Sequence, residues 1–223
     1  MTINGKNLQH EKEMPGMQLQ NPQKQYPKIS KTAWIAETAV IVGNVTIKDD
    51  VFVGPNAVIR ADEPGSSIVI ENRCNVQDNV VVHGLSDSEV IIGGNSSLAH
   101  GCIVHGPCRI GEGCFVGFGA VVFDCSIGKD TVILHNTTVR GVELPSSKVV
   151  PDGMTVTTQA KVSDLEELTE ELVEFKKSVV EANIDLLEGY KKLAEEEEEE
   201  EGKEGFRKFI QTKNADPVKE ESK

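Results

Sequence analysis

An aliphatic side chain returns at every sixth residue along most of this chain, and few folds can use such a period. It runs through Ile35, Ile41, Ile47, Val53 and Ile59, through Ile70, Val76 and Val82, and through Ile92, Leu98, Val104, Ile110, Val116 and Val122. After a one-residue slip it resumes at Ile127, Ile133 and Val139. Four positions beyond most anchors stands a small residue: Val45, Ala57, Cys74, Ser96, Cys102, Cys108, Cys114, Ala120, Thr131 and Thr137. An amphipathic helix repeats at 3.6 residues and a half-buried strand at 2, so neither produces this spacing, whereas a parallel β-helix does. Each hexapeptide then forms one flat face of a prism, with the aliphatic residue inside and the small one near a corner. Three faces, about eighteen residues, close one coil.

Composition fits a core of Val, Ile, Leu and Ala, since aromatics make up only 4% of the 223 residues. Four of the five cysteines (Cys74, Cys102, Cys108, Cys114) hold the small inward position and read as buried apolar fillers in a reducing compartment. The first thirty residues are polar, and no apolar run reaches the length of a signal segment or a membrane span. The expectation is a soluble cytoplasmic protein with no membrane partner. The net charge is −13, and most of the excess acid lies beyond residue 162, including seven consecutive glutamates from Glu195 to Glu201. No basic footprint is present, so nucleic acid is not an expected partner.

These features divide the chain into a polar N-terminal arm (1–30), a β-helix domain (31–162), a C-terminal helix (163–194) and an acidic, mobile tail (195–223). The helix is read from Ser163 and Glu166 as a capping box, followed by Leu165, Leu168, Leu172, Phe175, Val179, Ala182, Leu186 and Tyr190 at spacings of three or four.

Three histidines stand out. His83 follows anchor Val82 and His105 follows anchor Val104, so both occupy the same phase of the repeat. Twenty-two residues separate them, one coil plus a short insertion near Ser86–Val90, which stacks them on one face in successive coils ~4.8 Å apart. Two imidazoles at that distance can share an ion through bonds of ~2.0–2.1 Å. His100 precedes His105 by five residues and sits around a corner, about 16 Å away at ~3.3 Å per residue. It cannot join them within one chain, but it can complete the site from a neighbouring subunit in a cyclic trimer with three interfacial metals. His10 and His135 read as ordinary solvated side chains.

The stretch RADEPGSSIVIENRCNVQDNVVVHG, followed by SLAHGCIVHGPCRIGEGCFVGFGAVVFDCSIGKD and PDGMTVTTQA, resembles the gamma-class carbonic anhydrases from about Ile35 to about Tyr190. The resemblance implies an all-β solenoid plus helix: a left-handed parallel β-helix with a C-terminal α-helix. That hand runs against the general preference for right-handed crossovers. It also implies a homotrimer with one divalent metal per subunit interface (zinc, iron(II) or cobalt) and carbon dioxide and bicarbonate as substrates. His83 and His105 then match the ligands from one subunit and His100 the ligand from the next. Gln77 matches the residue that orients the nucleophile, Asn75 the residue that orients Gln77, and Glu63 a proton-moving carboxylate. Asn183 matches a helical contact to bicarbonate. Arg60 and Asp62 match an interface ion-pair system, with Asp78 as the expected partner of Arg60. The family prototype has a long acidic loop after the position of His83, where this chain has only GLSDSEV; Asp87 and Glu89 are the acids nearest that place. Two other function classes fit the same pattern: a non-catalytic assembly homologue, and a metal-dependent hydrolase of thioesterase type, with a metal-free acyltransferase more remote.

Overall fold

The six-residue period is realised as about seven stacked coils of a parallel prism followed by a helix. The structure is a computed structural model that describes residues 16–213. Residues 1–15 of the expected arm, His10 among them, and 214–223 of the expected tail lie outside this range. The chain divides into one unit ending at Leu187 and a second beginning at Glu188.

Three ladders of inward side chains build the core. Face one stacks Ile41, Ile59, Val82, Val104, Val122 and Val139 in register. Face two stacks Ile47, Ile70, Ile92, Ile110, Ile127 and Leu144. Face three stacks Ile35, Val53, Val76, Leu98, Val116, Ile133 and Val150. All of these residues are buried, and every strand pairing is parallel. The corners are tight. At the one joining face three to face one, Asn56, Asn79 and Asn136 take left-handed backbone, and Gly101, Gly119 and Gly153 do so in the other coils. That conformation suits glycine and is tolerated by asparagine. The five cysteines are free and buried, and burial pushes the Cys74 and Cys102 thiols up to about 12, so they serve as filler and not as nucleophiles.

Leu98 lies in the middle of the third ladder with no exposed surface. Leu98→Ala is expected to lower stability by about 2–5 kcal/mol, since the coils above and below cannot close on the cavity without losing register. Urea denaturation should show a lower midpoint at nearly constant slope; an unchanged midpoint would contradict this packing.

Three boundaries differ from the sequence expectation. The prism begins before residue 31: strands Met17–Leu19 and Lys28–Ile29 pair with the second coil. The hexapeptide signal misses this coil because its inward position, opposite Ile41, is Gln18, a polar residue at the end of the stack. The helix does not start at Ser163. That residue ends a short helix α1 (Gln159–Ser163), and the next six extend along the last coil, where Leu168 N donates to Ser147 O (2.7 Å) and Leu165 is buried. The long helix α2 (Glu170–Lys213) is capped by Thr169, whose hydroxyl accepts the Leu172 N–H. Finally, α2 continues through the glutamate run instead of stopping at residue 194. Glutamate is a good helix former, and Lys192 lies 3.8 Å from Glu196 one turn on.

The start of α2 covers the outer side of face three. Leu168, Leu172 and Val179 pack on Phe115, Val132 and Val149, and Phe175 meets Phe115 edge-on at 5.0 Å. Lys176 fixes the helix along its length, its buried ammonium donating to Gly113 O (2.8 Å) and Asp130 Oδ1 (2.9 Å). No helix among the described residues is long and apolar enough to cross a membrane.

Candidate metal centre

One residue beyond each anchor of face one, the pleat turns a side chain outward. The resulting column is Val42, Arg60, His83, His105, Phe123 and Arg140. His83 and His105 are thus direct cross-strand partners, with His83 Nδ1 3.1 Å from His105 Nε2. Phe123 closes one side of the pair, its ring edge-on to His105 at 5.1 Å. Burial holds the His83 imidazole below its ordinary value, and the positive charge of Arg60 adds to the effect. The ring therefore stays in the neutral form that a metal ligand requires.

Two corner loops roof this pair. The first (residues 62–66) carries Asp62 and Glu63; the second (84–88) stacks on it through Asp87 N to Pro64 O at 2.9 Å. Glu63 Oε2 accepts both the hydroxyl and the backbone N–H of Ser86, each at 2.8 Å, and these bonds hold its carboxyl below the usual range. Its other oxygen lies 3.6 Å from His83 Nε2, and Asp62 Oδ1 lies 3.5 Å from the same nitrogen. Both contacts are too long for good hydrogen bonds. Within the chain Arg60 donates to Asp62 Oδ2 at 3.0 Å; its expected pairing with Asp78 is one between subunits.

His100 belongs to another column, at the corner between faces three and one. There Asp78 Oδ2 lies 3.4 Å from His100 Nδ1, His100 stacks on Phe118, and Phe118 stacks on His135 with centroids 4.4 Å apart. His135 is therefore not merely solvated: its Nδ1 accepts the Phe118 N–H. Gln77 immediately precedes Asp78 and so accompanies His100. Asn75, two residues earlier, lies on the outer side of face three, opposite Ser97. Asn183, buried on α2, donates its amide to Val179 O in its own helix.

Several buried polar atoms have no hydrogen-bond partner among the described residues: Asp62 Oδ1, Gln77 Oε1, His83 Nε2, Ser97 Oγ and both amide atoms of Asn75. Each such atom costs about 1–3 kcal/mol. They concentrate at the two half-sites just described, the pattern expected where polar groups are kept for chemistry and not for stability. Among the described residues of one chain, no three His, Cys, Asp or Glu side chains converge as a cation site. Two imidazoles do converge, and their 3.1 Å separation is less than twice a ~2.0–2.1 Å metal–nitrogen bond, so one divalent ion can touch both. The donor set fits such an ion and lacks a third ligand. Sequence reasoning missed Ser86, Ser97, Phe123 and Lys176. Ser97 had a visible signal, a polar residue beside Asn75 in an outward column whose neighbouring positions, Phe52, Phe115, Val132 and Val149, are apolar; Lys176, on a charged helix, had none.

Comparison with known proteins places these features. Residues 89–123 match the family model described as bacterial transferase hexapeptide (six repeats). A hexapeptide transferase family protein from Anaplasma phagocytophilum superposes with a TM-score of 0.66 at 26% identity, over 78% of this chain and 98% of that one. The solenoid is accordingly the left-handed parallel β-helix of the hexapeptide class. The carboxysome assembly protein CcmM of a Nostoc species is 31% identical over 173 residues, which cover 73% of this chain but 31% of that longer protein. A carbonic anhydrase of Methanosarcina thermophila is 37% identical over 195 residues, covering 78% of both chains. Identity at that level across so much of both sequences goes beyond a shared repeat, and this chain belongs to the gamma-class carbonic anhydrase family.

Proposed function

We propose that this chain is a metal-dependent carbonic anhydrase that interconverts carbon dioxide and bicarbonate at sites completed between the subunits of a homotrimer. The observation that carries this reading is the 3.1 Å approach of His83 Nδ1 to His105 Nε2 on one face, with His100 held at a separate corner. His83 and His105 would hold a divalent ion together with His100 of the partner subunit, one ion per interface. Imidazole suits zinc, iron(II) and cobalt alike. When bound, such an ion supplies a hydroxide nucleophile near neutral pH.

The protein's own groups position and relay. Gln77 reaches the site with His100, from the same chain, and offers its amide to orient the attacking oxygen; Asn75 steadies that amide. Glu63 is ionised and presents Oε1 toward His83, where it accepts a proton during hydration and returns it in the reverse direction. Asn183 offers a carboxamide to bicarbonate from the helix. Arg60 with Asp62, and Asp78 beside His100, keep the two half-sites charged and in register across the interface.

Stopped-flow hydration assays with metal analysis on anaerobically purified protein test this. The expected result is roughly one ion per chain, with a rate that rises severalfold with imidazole concentration. The connection after His83 is short, and Glu63, whose proton affinity is lowered by Ser86, releases protons to buffer and not through a longer acidic loop. A rate independent of buffer would contradict that relay. A second reading, an assembly role without catalysis, draws on the similarity to CcmM; a metal-loaded trimer that does not hydrate carbon dioxide would favour it over ours.

A further inference from the structure

Where face two begins, the inward column reads Val45, Ile68, Val90, Cys108, Cys125 and Val142. Elsewhere aliphatic, it holds two thiols at adjacent coils. The slip in the repeat brings them together. Gly106 and Pro107 separate His105 from Cys108, whereas Asp124 alone separates Phe123 from Cys125, and beyond that corner the ladder resumes with Cys108 opposite Cys125. The other cysteines have no such neighbour: Ser96 lies between Cys74 and Cys114 in the stack, and Cys102 lies between Val80 and Ala120. In-register partners on parallel strands have Cα atoms ~4.8 Å apart, inside the range of about 4.4–6.8 Å that a disulfide spans. The Cys108 thiol is hydrogen-bonded to Cys125, which together with burial holds it well above its ordinary value. Cys125 in turn donates to Phe123 O at 3.2 Å. Both line an open groove of about 960 Å³ along the corner, with Pro107, Arg109 and Val142 in its walls. Cys125 is 8% exposed, the largest value among the cysteines, against 3% for Cys108.

We propose that Cys108 and Cys125 form a modification site that reacts with a small-molecule disulfide of the glutathione class and closes into an intramolecular bridge. Cys125, the more accessible thiol, gives its proton to solvent, and its sulfur attacks one sulfur of the incoming disulfide. That S–S bond breaks, and one small thiolate leaves and is protonated. Cys108 then loses its proton and attacks the Cys125 sulfur of the mixed disulfide, releasing the second small thiol. The protein dithiol is oxidised by two electrons, and the small disulfide is reduced to two thiols. Its high proton affinity makes Cys108 a poor opener of this exchange. In the closing step its contact with Cys125 offsets that weakness, because the sulfur it attacks is already beside it. The bridge joins the coil that carries His105 to the coil that carries Phe123.

Full-length folded protein, equilibrated with oxidised glutathione, quenched in acid, unfolded and alkylated, tests this by intact mass and peptide mapping. In the wild type, two of the five thiols should resist alkylation, the mass should fall by two hydrogens, and a peptide should link Cys108 to Cys125. Dithiothreitol should reverse all three changes. The oxidised protein should melt about 5 °C higher, since the bridge closes a loop of about sixteen residues. Cys108→Ala should stop at a mixed disulfide on Cys125, and Cys125→Ala should take up little glutathione. Five alkylatable thiols after treatment of native wild-type protein would overturn the proposal. So would a bridge to Cys74, Cys102 or Cys114, or a mixed disulfide that persists in the wild type. These wild-type results decide the matter even where a variant fails to fold.

Discussion

Alanine at His105 is expected to lower carbon dioxide hydration by more than roughly 100-fold, since losing even the groups that orient a ligand costs 10–100-fold. Bound metal should fall with it. The fold should survive, because His105 points outward while Val104, its buried neighbour, keeps the ladder intact. The change removes the nitrogen 3.1 Å from His83, the ring against which Phe123 packs and the Nδ1 contact to Gly106 O at 3.2 Å, and leaves the strand ladder's own hydrogen bonds in place. Metal analysis, circular dichroism and stopped-flow rates on one preparation check the three parts together. A variant that keeps its ion and its rate would remove His105 from the site.

Mixing two dead variants should restore activity. In the arrangement proposed, His83→Ala destroys one half-site of a chain and His100→Ala the other, so each homotrimer is inactive. Unfolding and refolding them together in equal amounts gives random trimers. In these, about one interface in four joins an intact His83–His105 face to an intact His100 corner. Recovery of about a quarter of the wild-type rate is therefore the expected outcome, against none for either variant refolded alone. A site assembled within a single chain would give no recovery from the mixture. The experiment thus tests the division of ligands directly, whichever ion is native.

Much of this arrangement can be read from the repeat. A six-residue phase fixes which side chains share a ladder, and that phase alone places His83 opposite His105, because a parallel register repeats whatever the phase dictates. It also separates His100, which stands two residues past Leu98 and so at a corner. The phase is silent where the polypeptide leaves the repeat. The loop contact that ties Glu63 to Ser86 depends on how two irregular connections stack. The Arg60–Asp62 pair depends on which carboxylate a flexible arginine finds first. The start of α2 was misplaced because Leu165 and Leu168 have helical spacing, yet their backbone hydrogen bonds to the last coil, and that competition is invisible in a pattern of apolar positions. The first coil was missed for the opposite reason: Gln18 occupies an aliphatic slot and erases the signal.

The gap between the two imidazoles is set by the hydrogen-bond spacing of adjacent coils, and the loops that roof them leave the prism at its corner. Insertions at residues 62–66 or 84–88 can therefore grow or shrink without moving the chelating nitrogens. Within a strand of face one, by contrast, a single added residue would swing one histidine into the core. The corner is thus the place to graft a longer acidic segment and retune proton traffic on an unaltered chassis.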